Sequence, residues 1–349
     1  MLEKVGQMGE DSPQTLTEAR TDRELFKATI PFAVESVKTS WWLVASTFVM
    51  LIASLAGAAM APVWPLRLSF SILSALLMVR AFITYHDYMH NAILSHSRLA
   101  WVLFRIYAAV ALTPPRMWKN SHNYHHGHVG KLAAASVGAF PIMTTEMWRE
   151  ASLVARAGYR IERHPLTVLT GYLTIFFFSL TLLPLLRNPA RHWDSLLVLL
   201  GHGSLISSMW FFGGFDAAFF VVLLPMTIAS MIGSYLFFAQ HSFEGMHILP
   251  EETWTYHQAA MESSSYMKLN KLMRWFTGNI GYHHVHHLNV RIPFYRLPEA
   301  MEAIPELQSP ATTSLSPHDI SACFRCCLWD EGLQRMVSYR EASRAAQPA

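Results

Sequence analysis

Leu66–His90 reads LRLSFSILSALLMVRAFITYHDYMH. A bilayer core of about 30 Å is crossed by roughly 20 apolar residues as helix, and Leu66–Tyr85 has that length. It runs directly into His86-Asp87-Tyr88-Met89-His90. Residues four apart share one face of a helix, so His86 and His90 can aim at one ion from the end of a membrane helix. Arg80 does not exclude a crossing, because its stem can carry the charge to the interface.

Working outward, Trp41–Ala61, Leu166–Leu186 and Ala217–Ala239 also have spanning length, while Ala100–Thr113 and Ser195–Phe212 are shorter. The composition agrees: 15% charged residues, against roughly 25% in soluble domains, with a mean hydropathy of +0.22. A net charge of +3 gives no argument for a nucleic-acid partner. The only cysteines, Cys323, Cys326 and Cys327, sit close together and read as free thiols on a cytosolic tail, not a disulfide framework. Residues 1–30 mix acidic and basic side chains and lack a signal-peptide core.

Two further clusters follow, His122-Asn123-Tyr124-His125-His126 and His283-His284-Val285-His286-His287. In each HxxHH the three- and four-residue spacings place the imidazoles on one side of a helical turn. A single histidine at an interface is more often a hydrogen-bonded group than a ligand, and His96, His128, His164, His192, His202, His247 and His257 are read that way. His284 breaks the spacing and is read as a supporting or surface group. The other eight histidines of the three clusters exceed one catalytic zinc, which takes about three protein ligands, and match two ions better. Imidazole suits iron, zinc, copper and nickel. Soluble di-iron bundles use two Glu-x-x-His motifs together with further glutamates; only Glu244-Gly245-Met246-His247 has that spacing here, so a nitrogen-ligated iron pair is the economical reading.

If the clusters share a site, an even number of crossings separates them. Ala100–Thr113 then lies in or dips into the membrane. Leu166–Leu186 and Ala217–Ala239, the longer segments, are expected to cross, leaving Ser195–Phe212 in-plane or partly inserted. The expected fold is all-α: four transmembrane helices in two hairpins, with a cytosolic helical cap carrying the histidine boxes. Its divisions are a cytosolic segment 1–40, a membrane domain 41–300 and a cytosolic tail 301–349, with a helix near Trp329–Ala345. The loop Pro114–Pro165 carries Arg116, Lys119, Lys131, Arg149, Arg156, Arg160 and Arg163, against Arg67, Arg187 and Arg191 on the expected outer side. The positive-inside rule therefore puts the histidines on the cytosolic side.

The chain resembles the membrane fatty acid desaturases, specifically the acyl-lipid branch with Δ12 enzymes. The likeness runs from about Leu25 to Ala300. It is most specific at Phe237-Phe238-Ala239-Gln240-His241-Ser242-Phe243-Glu244 and from Trp275-Phe276-Thr277-Gly278-Asn279-Ile280-Gly281-Tyr282 through the third cluster. The resemblance implies His86, His90, His122, His125, His126, His283, His286 and His287 as iron ligands and adds His241, which follows the last span. Tyr88 and Met89 depart from the commonest first box, which bears on substrate and regiochemistry.

It further implies two non-haem irons with O2 as co-substrate, and a cis double bond introduced into an acyl-lipid chain. Trp118, Trp254 and Trp275 are candidates to line an acyl tunnel; Asp87, Asn123, Glu244, Glu262 and Asn279 are candidates to orient imidazole N–H groups. No dinucleotide fingerprint or four-cysteine pattern is present. Electrons must come from a soluble donor of ferredoxin or cytochrome b5 type, docking at Arg156, Arg160, Arg163, Lys268, Lys271 and Arg274. A lipid or carotenoid hydroxylase or ketolase shares these boxes. A membrane metal transporter would carry its ligands inside the apolar spans, whereas these histidines fall beyond the segment ends. A zinc hydrolase needs only one ion.

Overall fold

The computed structural model describes residues 20–132 and 138–345. The acidic and basic positions expected to keep the extreme N-terminus cytosolic, up to residue 19, lie outside the described residues. The described chain is mostly helical. Two small sheets amend the all-α expectation: β1 (Tyr266–Lys268) pairs in parallel with β2 (Thr312–Ser314), and β3 (Leu328–Asp330) pairs antiparallel with β4 (Arg335–Val337).

A short capped helix, α1 (Asp22–Thr29), precedes the first long one. Helix α2 (Val37–Met60) starts where the Ser36 hydroxyl accepts from the Thr39 amide. Helix α3 (Trp64–Met89) follows after three residues, with Pro65 in its first turn. The two run antiparallel in close contact. Ser54 Oγ donates to the Phe70 carbonyl at 2.9 Å, and Ser74 Oγ to Ser54 Oγ at 3.0 Å. Arg80 does not reach an interface: it is buried, with Nε donating to Thr47 Oγ1 and Nη1 to the Trp275 carbonyl. Its guanidinium carbon lies 4.2 Å from the Trp275 ring centroid, so π-faces and neutral oxygens take the place of solvent.

Among the described residues, three helical stretches are long and apolar enough to cross a membrane: Val37–Met60, Trp64–Met89 and Trp193–Gln240. The third reverses direction. Its first limb, α10 (Trp193–Ala217), begins with Asp194 accepting from the Arg116 amide, near where Tyr85 Oη meets the Thr113 carbonyl. Its end holds Asp216 against Arg67, at the opposite end of α3 (2.9 Å). The break is Gly214, at φ 73° and ψ −172°, a conformation that a Cβ disfavours. The second limb returns through a π-helical turn (Ala218–Leu223) and α11 (Leu224–Gln240). Ser71 donates to the Phe220 carbonyl near the start of this limb, and His241 follows its end.

This corrects the expectation for the middle segments. Ser195–Phe212 belongs to the 25-residue α10 rather than lying in-plane. Leu166–Leu186 is not one crossing helix. It breaks into α8 (Pro165–Leu169), a π-helical stretch Tyr172–Leu182 and α9 (Leu183–Arg187). Tyr172 Oη meets His202 Nε2 at 2.6 Å, Gly171 packs on Ser234, and Thr181 donates to the Leu112 carbonyl. Ser234 and Leu112 lie toward the histidine-bearing end and His202 midway along the first limb of α10, so the stretch packs against the histidine half of the bundle. Hydrophobic counting favoured it because Gly201, His202, Gly203 and Ser204 dilute α10, while i→i+5 bonding compacts the π stretch. Helix α4 (Arg98–Val110) has only 13 residues and packs on α3 through Tyr107 Oη and the Met78 carbonyl.

The remaining short elements gather at the histidine end: α5 (Pro115–His128), α6 (Thr145–Glu150), α7 (Leu153–Glu162), α12 (Tyr256–Glu262), α13 (Lys271–Phe276), α14 (His283–Leu288) and α15 (Leu297–Ala303). Residues after 300 pack on this body. In α16 (Pro317–Arg325), Phe324 stacks on Phe238 of α11, with ring centroids 5.0 Å apart. The three cysteines are free thiols, all buried. Of the helix expected near Trp329–Ala345, only α17 (Tyr339–Ala345) is helical; Trp329 lies in β3.

Candidate metal centre

Helix α3 delivers His86 in its last turn and His90 at its C-cap. Helix α5 opens on Pro115, and its free Arg116 amide is satisfied by Asp194 Oδ2 at 2.9 Å. Helix α14 follows a turn in which Gly281 closes on the Met267 carbonyl, 2.6 Å from where a Cβ would stand.

The nine imidazoles expected as ligands fall into two groups. His86, His90, His122, His126 and His286 form one; His125, His241, His283 and His287 form the other. Within each group the candidate ligand atoms all lie within 4.8 Å of one another. In the first, Nε2 atoms approach at 3.0 Å (His86–His122), 3.0 Å (His122–His126) and 3.2 Å (His126–His286). In the second they approach at 3.0 Å (His125–His241), 2.8 Å (His241–His283) and 3.1 Å (His283–His287). Two nitrogens each about 2.1 Å from one ion, at right angles, stand about 3.0 Å apart.

The two HxxHH boxes are each shared between the groups, contrary to the simplest reading of one side and one ion. On α5, His122 and His126 join the first group and His125 the second. On α14 the assignment inverts: His283 and His287 join the second group and His286 the first. Residues four apart stack on one face, while the intervening imidazole turns toward the neighbouring group.

Burial holds these imidazoles neutral. His122, His125, His126, His283, His286 and His287 are all pushed well below the usual histidine range, first by desolvation and then by one another. His90 falls to about 3 and His241 to about 4, both chiefly through burial. Neutral imidazole is the metal-ligating form. His90 Nε2 is buried with no protein partner. An all-nitrogen donor set with an orphaned nitrogen aimed into it fits two first-row metal ions.

One carboxylate touches the groups among the described residues. Asp87 Oδ1 lies 3.1 Å from His86 Nδ1, and its Oδ2 accepts from the Phe294 amide at 2.6 Å. His241 Nδ1 donates to the Ser263 carbonyl at 2.9 Å. The other proposed orienting residues do not reach an imidazole ring. Asn123 and Glu244 are exposed, Glu262 accepts from Gln258, and Asn279 donates to the Phe294 carbonyl at 3.1 Å. His284 is buried, not superficial, and its Nε2 donates to the Leu307 carbonyl, outside both groups. Sequence reasoning missed Asp194 and Gln240, whose Nε2 donates to the Ile280 carbonyl and ties the approach to His241 to that of His283. An acid opening an apolar run is the signal that would have found the first.

A cavity of about 1250 Å³ adjoins the histidines. His86 and His122 from one group and His283 from the other form part of its wall, with Trp118, Phe82 and Phe237. Trp118 stacks on His122 with centroids 4.4 Å apart. Trp254 and Trp275 do not line it: Trp254 donates to the Val129 carbonyl, and Trp275 covers Arg80.

Fold and site together define a protein with membrane-length helices and a histidine-built site able to hold metal beside an apolar cavity. A family model described as fatty acid desaturase matches residues 62–315. A protein of Bacillus subtilis (strain 168) named "Fatty acid desaturase" is 30% identical over 327 residues, covering 93% of this chain and 92% of its own. The chain belongs to the fatty acid desaturase family. Membership implies a lipid acyl substrate and membrane association.

Proposed function

We propose that the protein is an O2-dependent acyl desaturase that introduces a cis double bond into a lipid-linked chain, in the acyl-lipid, Δ12-like branch. The observation that carries this reading is the shared wall: histidines of both groups border one large apolar cavity. His86, His90, His122, His125, His126, His241, His283, His286 and His287 would hold two irons. When bound, the ions would supply the oxidant for removing hydrogens from neighbouring methylenes, with O2 reduced to water. The chain's own residues do the positioning. Trp118, Phe82 and Phe237 confine the acyl chain and keep water out. Asp87 holds the proton on His86 Nδ1 and the Ser263 carbonyl holds that on His241, leaving each Nε2 free to ligate.

In this reading the membrane is crossed four times, by α2, α3 and the two limbs of Trp193–Gln240. The desaturase unit is 41–300, between cytosolic segments 1–40 and 301–349. Asp194 stands beside Arg116, so Arg187 and Arg191 move to the histidine side and Arg67 is left opposite, paired with Asp216. The corrected charge count favours a cytosolic histidine face. A ferredoxin or cytochrome b5 type donor would meet the basic residues Arg156, Arg160, Lys268, Lys271 and Arg274. Arg163 leaves this set because it is buried, donating to Pro141, Ser242 and Cys326.

Expression in a host without polyunsaturated fatty acids, followed by double-bond mapping, tests the function. A new cis double bond without added oxygen is expected, lost in His125→Ala and His286→Ala. A hydroxylated or keto product, or one zinc per purified chain, refutes the proposal.

A further inference from the structure

The cavity is apolar along the histidines and charged at its rim. Arg187, the last residue of α9, and His192, just before α10, border it. The turn between them is built: the Asn188 carbonyl accepts from the Arg191 and His192 amides at 3.2 and 3.1 Å. No carboxylate lies within ion-pair distance of Arg187 or Arg191 among the described residues. Asp194, the nearest acid in sequence, is buried and turned to the Arg116 amide. His192 Nδ1 is buried and has no partner. Arg187 and His192 therefore offer unpaired nitrogens at the mouth of an apolar space whose wall also carries Glu162.

The same rim carries Ile161, Leu173, Phe177 and Phe178, all exposed. Next to it, α7 turns Leu153 and Val154 outward, 81% and 83% exposed. Such a surface suits acyl chains of a bilayer better than water. At about 1250 Å³ the cavity exceeds the roughly 300–1,000 Å³ of pockets for drug-sized ligands. The complementary ligand is an amphiphile, with its chain inside and an anionic group at the rim.

We propose that Arg187 and His192 form a phosphate-binding subsite that holds the headgroup of a membrane phospholipid whose acyl chain occupies the cavity. The fate of that chain rests on the desaturase reading; the binding does not. A guanidinium matches two phosphate oxygens at once. A headgroup fixed at the rim sets how far the chain reaches along the histidine wall, and so which carbons are presented there.

The test uses the full chain in detergent, with retained lipid measured by native mass spectrometry. Phosphatidylglycerol is compared with a galactosyl diacylglycerol of the same acyl chains, which has no phosphate. Wild type should prefer the phospholipid. Arg187→Ala and Arg187→Gln should each cut its retention about tenfold, the loss of one charge-assisted hydrogen bond, and leave the galactolipid unaffected. Arg187→Lys should recover part of the preference, and His192→Ala should weaken it less. Equal retention of both lipids by wild type, or parallel loss of both in the Ala and Gln variants, overturns the proposal. Displacement by acyl-coenzyme A, whose phosphates sit on a water-soluble head, overturns the assignment to a membrane lipid. Selective binding without any double bond formed sinks the desaturase reading and leaves the subsite standing; double bonds formed without phosphate selectivity do the reverse.

Discussion

Asp87→Asn should weaken metal retention at one group and spare the other. Asp87 is buried, with one oxygen on His86 Nδ1 (3.1 Å) and the other accepting from the Phe294 amide (2.6 Å). Asparagine keeps a single acceptor. If its oxygen stays on Phe294, its NH2 faces His86 Nδ1 and favours the tautomer with a proton on Nε2, which cannot ligate. If its oxygen turns to His86, two donors meet at Phe294, and a buried amide without a partner costs about 1–3 kcal/mol. Removing such an orienting group typically costs 10–100-fold in metal affinity, about 1.4–2.7 kcal/mol. Metal per chain, measured by mass spectrometry after a graded chelator challenge, should fall by roughly half as the five-histidine group empties first. His241→Ala should empty the other group, and the double variant both. Asp87→Asn holding metal like wild type across the whole challenge refutes the reasoning.

Gly171→Ala would place a Cβ 2.0 Å from Ser234 Oγ; thermal unfolding in detergent should show a loss of about 1–3 kcal/mol, and adding Ser234→Ala should recover much of it. Burial lowers His284 to about 4, against 6.5 for the free group. The unfolded chain therefore takes up the proton first as pH falls, and stability is full above about 6.5 and declines toward about 4, by about 3 kcal/mol in total. His284→Gln keeps a donor for Leu307 and should lower the slope of the metal-free protein by this one group's share, the ligand imidazoles keeping theirs; an unchanged slope counts against it. Arg163→Ala strands the Pro141 and Cys326 carbonyls and the Ser242 hydroxyl. Amide exchange should quicken around 141–144, 242 and 326–330, and unchanged exchange there would show that the guanidinium does not pin the C-terminal segment.

Spacing carried most of the grouping of the histidines. Pairs four apart, such as His86 with His90 and His122 with His126, share a group because a helix puts them on one face. His241 has no periodic partner, and only family resemblance pointed to it. The division of each HxxHH between two groups depends on how α5 and α14 face each other, which no local pattern encodes. The long helices were legible where the apolar run is unbroken, as in α2 and α3. They were misread where glycine, serine and His202 dilute α10, and where a π-helical stretch of Phe and Leu imitates a span. Arg80 and Arg163 looked like surface charges because the aromatic faces and carbonyls that accept them come from distant segments.

Both groups are assembled from widely separated parts of the chain. The five-membered one is short of a nitrogen until residue 286 is in place, and the four-membered one draws on residues from 125 to 287. No fragment released early from the ribosome owns a finished pocket for an ion. The scaffold must close around a nest of uncharged rings before either group can hold an ion, so metal, where it binds, would enter a chain already folded from residue 86 to residue 287.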